Sequence, residues 1–268
     1  TQYLFISHCI VFFKKLILNQ FIYINACIEF LYISRIMNAM KEKIVLVDGC
    51  RTPFLRSETD FLNTMTYELG QLAIKGLLNK TGINPNLVDS VVMGCVISTL
   101  KTSNLAREAA LTAGIPYSTP CHTVSQACIS ANRAIATAIG EIATGQSSIV
   151  IAGGADSASE TPIGYKKHMR TKLMKGTKIK STSQMIKYAL GFRFKDFLPE
   201  VPAISEYTTQ RTMGEDCDIM VAKHQITREK QDLFAIRSHD NAEKAWQDGY
   251  HTKAVSYTHL RAHETFAN

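Results

Sequence analysis

The chain has 268 residues, 46% of them hydrophobic, which is enough for one large domain or two smaller ones around an ample core. Lys and Arg outnumber Asp and Glu 30 to 23, a formal net charge of +7, and the excess is concentrated: residues 161–195 contain no acid. No nucleic-acid-binding motif accompanies that charge, and the seven cysteines form no CxxC pair or metal-like Cys/His spacing, so nucleic acid, a disulfide framework and a zinc site are set aside.

Residues 1–36 are crowded with Phe, Ile, Leu, Tyr, Asn and Lys and contain no Gly or Pro. Their apolar runs are too short and too polar for a membrane span, and Lys14 and Lys15 follow the first run where a signal peptide would carry its charge ahead. The stretch reads as upstream sequence translated in frame, with a start expected at Met37 or Met40. The last stretch, SYTHLRAHETFAN, reads as adapter-derived. The expected organisation is therefore 1–39 outside the fold, a layered α/β domain over 40–160, a basic unit over 161–255 and a foreign tail over 256–268.

Within those limits, residues 43–47 form a short apolar run predicted as a strand, followed by the loop DGCRTPF. Asn63 or Thr64 is placed to cap a helix running to about Asn79, with Leu69, Leu72, Ala73 and Leu77 on one side and Gly82 ending it. A strand is predicted over 90–97. Asn104 caps the helix LAREAALTA, which Gly114 terminates. A β-type stretch over 119–125 then leads into Cys128, and a further strand over 148–152 ends at Gly153-Gly154. The alternation of strand and helix predicts a layered α/β fold. From about Thr161 the chain reads as basic and irregular. It is followed by a predicted helix over 209–224 and another from Thr227 to Gly249.

The helix after Cys128 carries Ala131, Ala134, Ile135, Ala138, Ile139 and Ile142, a pattern apolar on nearly every face and hence expected to be buried. A cysteine at its first turn lies at the positive end of the helix dipole, which favours the thiolate and suits a nucleophile. The plainer reading is a small core residue. The basic block reads as a solvated face or mobile loop, or as a binder of polyanions such as a phosphorylated cofactor or anionic lipid.

Five segments occur in a telling order: VDGCRTPF, NLAREAAL, TVSQACISAN, SIVIAGGADSAS and TMGED. Together they resemble the N-terminal half of a thiolase, over roughly residues 43–255, and most closely the 3-ketoacyl-CoA thiolases that form the β subunits of fatty-acid β-oxidation complexes. The resemblance implies a five-layered αβαβα fold, of which one half and most of the loop domain are present. It implies thiolytic cleavage of 3-ketoacyl-CoA by coenzyme A as co-substrate, with no permanently bound cofactor. Cys128 then corresponds to the acyl-accepting cysteine, and its backbone N–H is a candidate oxyanion donor. Small residues at Ser130 and Ala131 are expected to leave room for substrate.

The resemblance further makes the basic unit the cover that binds coenzyme A, and makes Met213 and Gly214 part of the substrate-binding surface. It implies a homodimer, association with a hydratase/dehydrogenase α subunit, and peripheral membrane contact through Met185, Ile186, Leu190, Phe192, Phe194 and Phe197, for which a core-facing role is an equal alternative. Many thiolases have His where Thr212 stands, and Asp156 replaces the usual Glu after the Gly-Gly pair. His122, on the strand leading to Cys128, reads as structural. The family's NEAF, GHP and CxG motifs do not occur in the 268 residues, so the chain as written is expected to be inactive or nearly so. Alternative readings are a biosynthetic acetoacetyl-CoA thiolase and a non-catalytic acyl-CoA or lipid-binding relative; CISAN in place of CGSG favours the β-oxidation branch. The compartment implied is the cytoplasm of a bacterium or the mitochondrion of a eukaryote, not secretion.

Overall fold

The computed structural model describes residues 8–14, 44–200 and 203–250. It divides into two units, of which the second is Thr161–His239; residues before it, and those from Asp240 on, belong to the first. The tail over 256–268 lies outside the described residues.

The first unit is built on a five-stranded mixed sheet. Its strands are β1 (His8–Lys14), β2 (Ile44–Arg51), β3 (Ser90–Gly94), β4 (Cys121–Val124) and β5 (Ile149–Gly154), in the spatial order β2-β1-β5-β3-β4. β5, β3 and β4 run parallel, with Val91 opposite both Ile151 and Cys121. β1 is antiparallel to both neighbours, pairing His8 with Arg51 on one side and with Gly154 on the other. Residues 1–39 are expected from the sequence to lie outside the fold, yet the run HCIVFFK supplies a strand in the interior of the sheet. Its β-branched and aromatic content suits a strand with neighbours on both edges.

Helices α1 (Thr66–Thr81) and α2 (Leu105–Thr112) cover one face of the sheet, and α3 (Ser130–Ala143) covers the other. Strand alternation sorts the core accordingly. Val91, Met93 and Ile151 pack with Leu69, Ala73, Ile74, Leu77, Ala106 and Ala110, while Val92, Val150 and Ala152 pack with Ala134, Ala138 and Ile142. Each fully buried isoleucine or leucine here contributes about 2 kcal/mol. α3 is not buried all round: Asn132, Arg133, Ala136, Ile139 and Gly140 face outward and are exposed. Its apolar composition exceeds what one sheet face covers.

Several boundaries depart from the sequence prediction for identifiable reasons. α1 starts at Thr66, not beside Asn63 or Thr64, because its first-turn amides find carboxylates elsewhere. Glu68 Oε2 accepts from Met65 N–H at 2.7 Å, and Glu160 Oε2 accepts from both the N–H and the hydroxyl of Thr66, at 2.7 and 2.9 Å. β3 ends at Gly94 instead of Ile97, because Val96 and Ile97 donate their N–H groups to Asp156 Oδ1 at 2.8 and 2.7 Å. Asn104 does cap α2, accepting from Arg107 N–H at 3.2 Å, and Gly114 follows it at a φ of +95°.

The second unit is not irregular through its basic stretch. It contains α4 (Lys167–Gly176) and α5 (Thr182–Leu190), a two-stranded ribbon of β6 (Gly164–Tyr165) and β7 (Pro199–Glu200), then α6 (Met213–Lys223) and most of α7 (Arg228–Gln247). Lys, Met, Leu and Arg are good helix formers, and that propensity prevails over the repulsion of like charges. Asp196, the first acid after the block, anchors α4: its buried carboxylate accepts from Lys172 Nζ at 2.5 Å, His168 Nε2 at 2.9 Å and Arg193 N–H at 3.0 Å.

Candidate active site

Cys128 lies in a tight turn between β4 and α3, and its side chain is exposed. α3 begins only at Ser130, so Cys128 precedes the helix instead of occupying its first turn. The turn reverses sharply because Ala127 adopts a left-handed backbone, φ +46°, which costs an alanine about 1 kcal/mol. Ile129 N–H donates to Gln126 C=O at 3.2 Å and Ser130 N–H to Ala127 C=O at 3.1 Å.

Ser130 does not open a path for substrate. It is 2% exposed, and its hydroxyl closes the turn from beneath by donating to Ala127 C=O at 2.6 Å and accepting from Gln126 N–H at 2.8 Å. Beneath it runs the end of β3. A Cβ on Gly94 would lie 2.4 Å from the Ser130 carbonyl carbon and 2.5 Å from Ala131 N, so only a glycine lets the strand come this close. The crevice at the carboxyl ends of the parallel strands is where α/β folds commonly place reactive groups.

Just past the ends of β3 and β5 lie Cys95 and Asp156. The Cys95 thiol is buried and within 3.6 Å of Asp156 Oδ1; burial first, then the neighbouring carboxylate, pushes it up to about 12. Burial also raises Asp156 above the usual carboxylate range, against the pull of the Ile97 and Val96 amides. Cys95 is therefore a protonated, inert thiol at neutral pH. His122 is half-buried on the edge strand β4, opposite Val92. Among the described residues no group of three or more His, Cys, Asp or Glu is arranged to hold a metal, and no helix is long and apolar enough to cross a membrane.

A strand, a left-handed turn and a helix that opens on the buried Ser130 present the exposed Cys128 thiol, and the family model described as the thiolase N-terminal domain matches residues 44–266. The chain belongs to the thiolase family. Among its relatives, the β subunit of the mitochondrial trifunctional enzyme of Bos taurus is 44% identical over 214 residues, covering 80% of this chain and 45% of that protein. The 3-ketoacyl-CoA thiolase of Aliivibrio fischeri is 40% identical over 208 residues, covering 78% and 47%. A crystal structure of the acetyl-CoA acetyltransferase of Bacillus anthracis superposes with a TM-score of 0.59 at 28% identity, covering 77% of this chain and 48% of that one. The chain thus spans about half the length of the thiolases it matches.

The other residues expected from sequence to bind substrate lie in the second unit. Met213 and Gly214 open α6, with Met213 exposed. Thr212, where many thiolases have His, is the cap of that helix: its hydroxyl accepts from Glu215 N–H at 3.3 Å, and Glu215 Oε2 accepts from Thr212 N–H at 2.7 Å. Of the apolar residues singled out in α5 and beyond, Met185, Ile186, Leu190, Phe194 and Phe197 are exposed. Phe192 is half-buried, its ring edge-on to Tyr188 at 4.9 Å and tilted against Phe197 at 5.6 Å. Sequence reasoning missed Gly94, the left-handed Ala127 and the inward hydroxyl of Ser130. A serine two residues after Cys128 and a glycine ending a buried strand were their only signals.

Proposed function

We propose that this thiolase cleaves 3-ketoacyl-CoA with coenzyme A in fatty-acid β-oxidation, and that Cys128 carries the acyl group. The presentation of an exposed thiol on a left-handed turn, between a strand and a helix, supports this reading most directly. The Cys128 sulfur attacks the keto carbon, its proton passing to a base. The bond to the neighbouring carbon breaks and acetyl-CoA leaves as an enolate that takes up a proton. The sulfur of coenzyme A then attacks the Cys128 thioester, releasing the shortened acyl-CoA and restoring the thiol. The amides of Ile129 and Ser130 are committed within the turn, and the N–H of Cys128 is the donor assigned to the oxyanion. The bases come from the family's NEAF, GHP and CxG motifs, which these 268 residues do not contain.

On this reading residues 40–160 are the N-terminal thiolase domain. Residues 161–255 are the basic unit that binds coenzyme A, with Met213 and Gly214 on the substrate surface. The exposed apolar residues of α5, set among lysines, suit contact with an α subunit or a membrane surface, and the protein works as a homodimer in the bacterial cytoplasm or the mitochondrion. Relatives named 3-ketoacyl-CoA thiolase share 40–43% identity with it, against 28% for the acetyl-CoA acetyltransferase, which favours β-oxidation over biosynthesis.

The test is turnover of long- and short-chain 3-ketoacyl-CoA by the protein isolated from its natural source, beside its Cys128→Ala variant. The expected outcome is a mass increment of one acyl group on the Cys128 peptide and a loss of at least about a thousandfold in kcat on substitution. Turnover retained by Cys128→Ala would sink the assignment.

A further inference from the structure

Ala127 is an alanine in a conformation that glycine adopts freely and alanine does not. Something must hold it there, and one side chain bonds both its carbonyl and the N–H of the residue before it. The Ser130 hydroxyl, on a residue 2% exposed, donates to the carbonyl of Ala127 and accepts the N–H of Gln126, so it spans the two residues that lead into Cys128. Its own position is fixed from below, where Gly94 brings the β3 backbone against the Ser130 carbonyl carbon. No other side-chain hydroxyl, amide or carboxylate among the described residues is within hydrogen-bond distance of this turn.

We propose that Ser130 is a positioning residue. Its hydroxyl keeps Ala127 left-handed and thereby holds the Cys128 thiol and N–H in the orientation that acyl transfer needs. Ser130 acts through the turn and does not touch substrate. The proposal rests on Cys128 being the nucleophile.

An alanine at 130 removes both hydrogen bonds without adding bulk. A glycine at 127 removes the backbone cost that those bonds oppose. The two changes are therefore coupled, and a filler of core space would not show that coupling.

The experiment compares wild type, Ser130→Ala and Ser130→Ala combined with Ala127→Gly in the protein isolated or expressed at its natural length. Amide hydrogen exchange is followed over 126–130, and kcat and KM for 3-ketoacyl-CoA are measured separately. Ser130→Ala is expected to speed exchange of the Gln126 amide by roughly tenfold, the factor carried by loss of one buried hydrogen bond. It is expected to lower kcat by a similar factor with KM little changed. The added Ala127→Gly is expected to recover at least half of the lost kcat on a logarithmic scale.

Wild-type exchange and kcat in Ser130→Ala would overturn the proposal, as would a lower melting temperature with kcat unchanged, or no recovery in the double variant. Failure of the nucleophile reading is separable, since it shows as activity surviving Cys128→Ala.

Discussion

Gly94 ends a fully buried strand, and α3 rests on the space its missing side chain leaves. Substituting Gly94→Ala sets a Cβ within 2.6 Å of three backbone atoms of Ser130 and Ala131, none of which belongs to a flexible side chain. The strand or the helix start has to move. We expect a destabilisation of about 1–3 kcal/mol by urea unfolding, in the range of an overpacked core. A change below about 0.5 kcal/mol, the size of an ordinary surface substitution, means that the close approach is not required. The strand-to-helix turn at Cys128 was legible in the sequence because a β-type run before a small-residue helix is a local pattern. Ser130 was not, because the direction of its hydroxyl depends on the backbone of Ala127, and alanine carries no signal for a left-handed turn. The same run of letters suggested an open approach for substrate and instead contains a brace.

At the scale of elements, helices with local caps were readable and those capped from a distance were not. Asn104 sits beside the helix it caps, whereas the first turn of α1 depends on Glu160, 94 residues further along the chain. Glu160→Ala removes an acceptor from the N–H and hydroxyl of Thr66, a residue 1% exposed. We expect a loss of about 1–2 kcal/mol, the usual cost of deleting a cap, with hydrogen exchange raised selectively in the first turn of α1. Uniform loss across the sheet would instead mean that Glu160 supports the unit globally. The end of β3 follows the same logic, since the two amides that leave the ladder go to Asp156, an acid the sequence presents only as a substitute for glutamate. α4 and α5 went unpredicted because a one-sign charge block is the pattern of a disordered tail. The acid that organises it, Asp196, lies just past its end.

That cluster sets a pH dependence for the second unit. Lys172 first, with the Arg193 amide next, holds the Asp196 carboxyl down at about 2 in the folded chain, against about 4 when unfolded. A depressed acid contributes its full stability above the unfolded value and loses it as pH falls through the folded one. The melting temperature of Asp196→Asn is therefore expected to lie below wild type at pH 6, with the gap shrinking from pH 4 to pH 2. A gap that stays constant with pH would remove the carboxylate charge from the explanation.

The order of strands in the sheet also bears on how the chain assembles. β3, β4, α3 and β5 all come from residues 90–154 and pair with one another, so the Cys128 turn can form from contiguous chain. β1 joins only when His8 finds Gly154, and β2 reaches the sheet only through β1. Contacts between such distant segments close slowly, because loop entropy is lost before any pairing is gained. The earliest-synthesised strand thus waits for one of the last in the sheet. Until it docks, the nascent unit is a three-stranded platform that already bears the exposed Cys128 and leaves an open edge along β5.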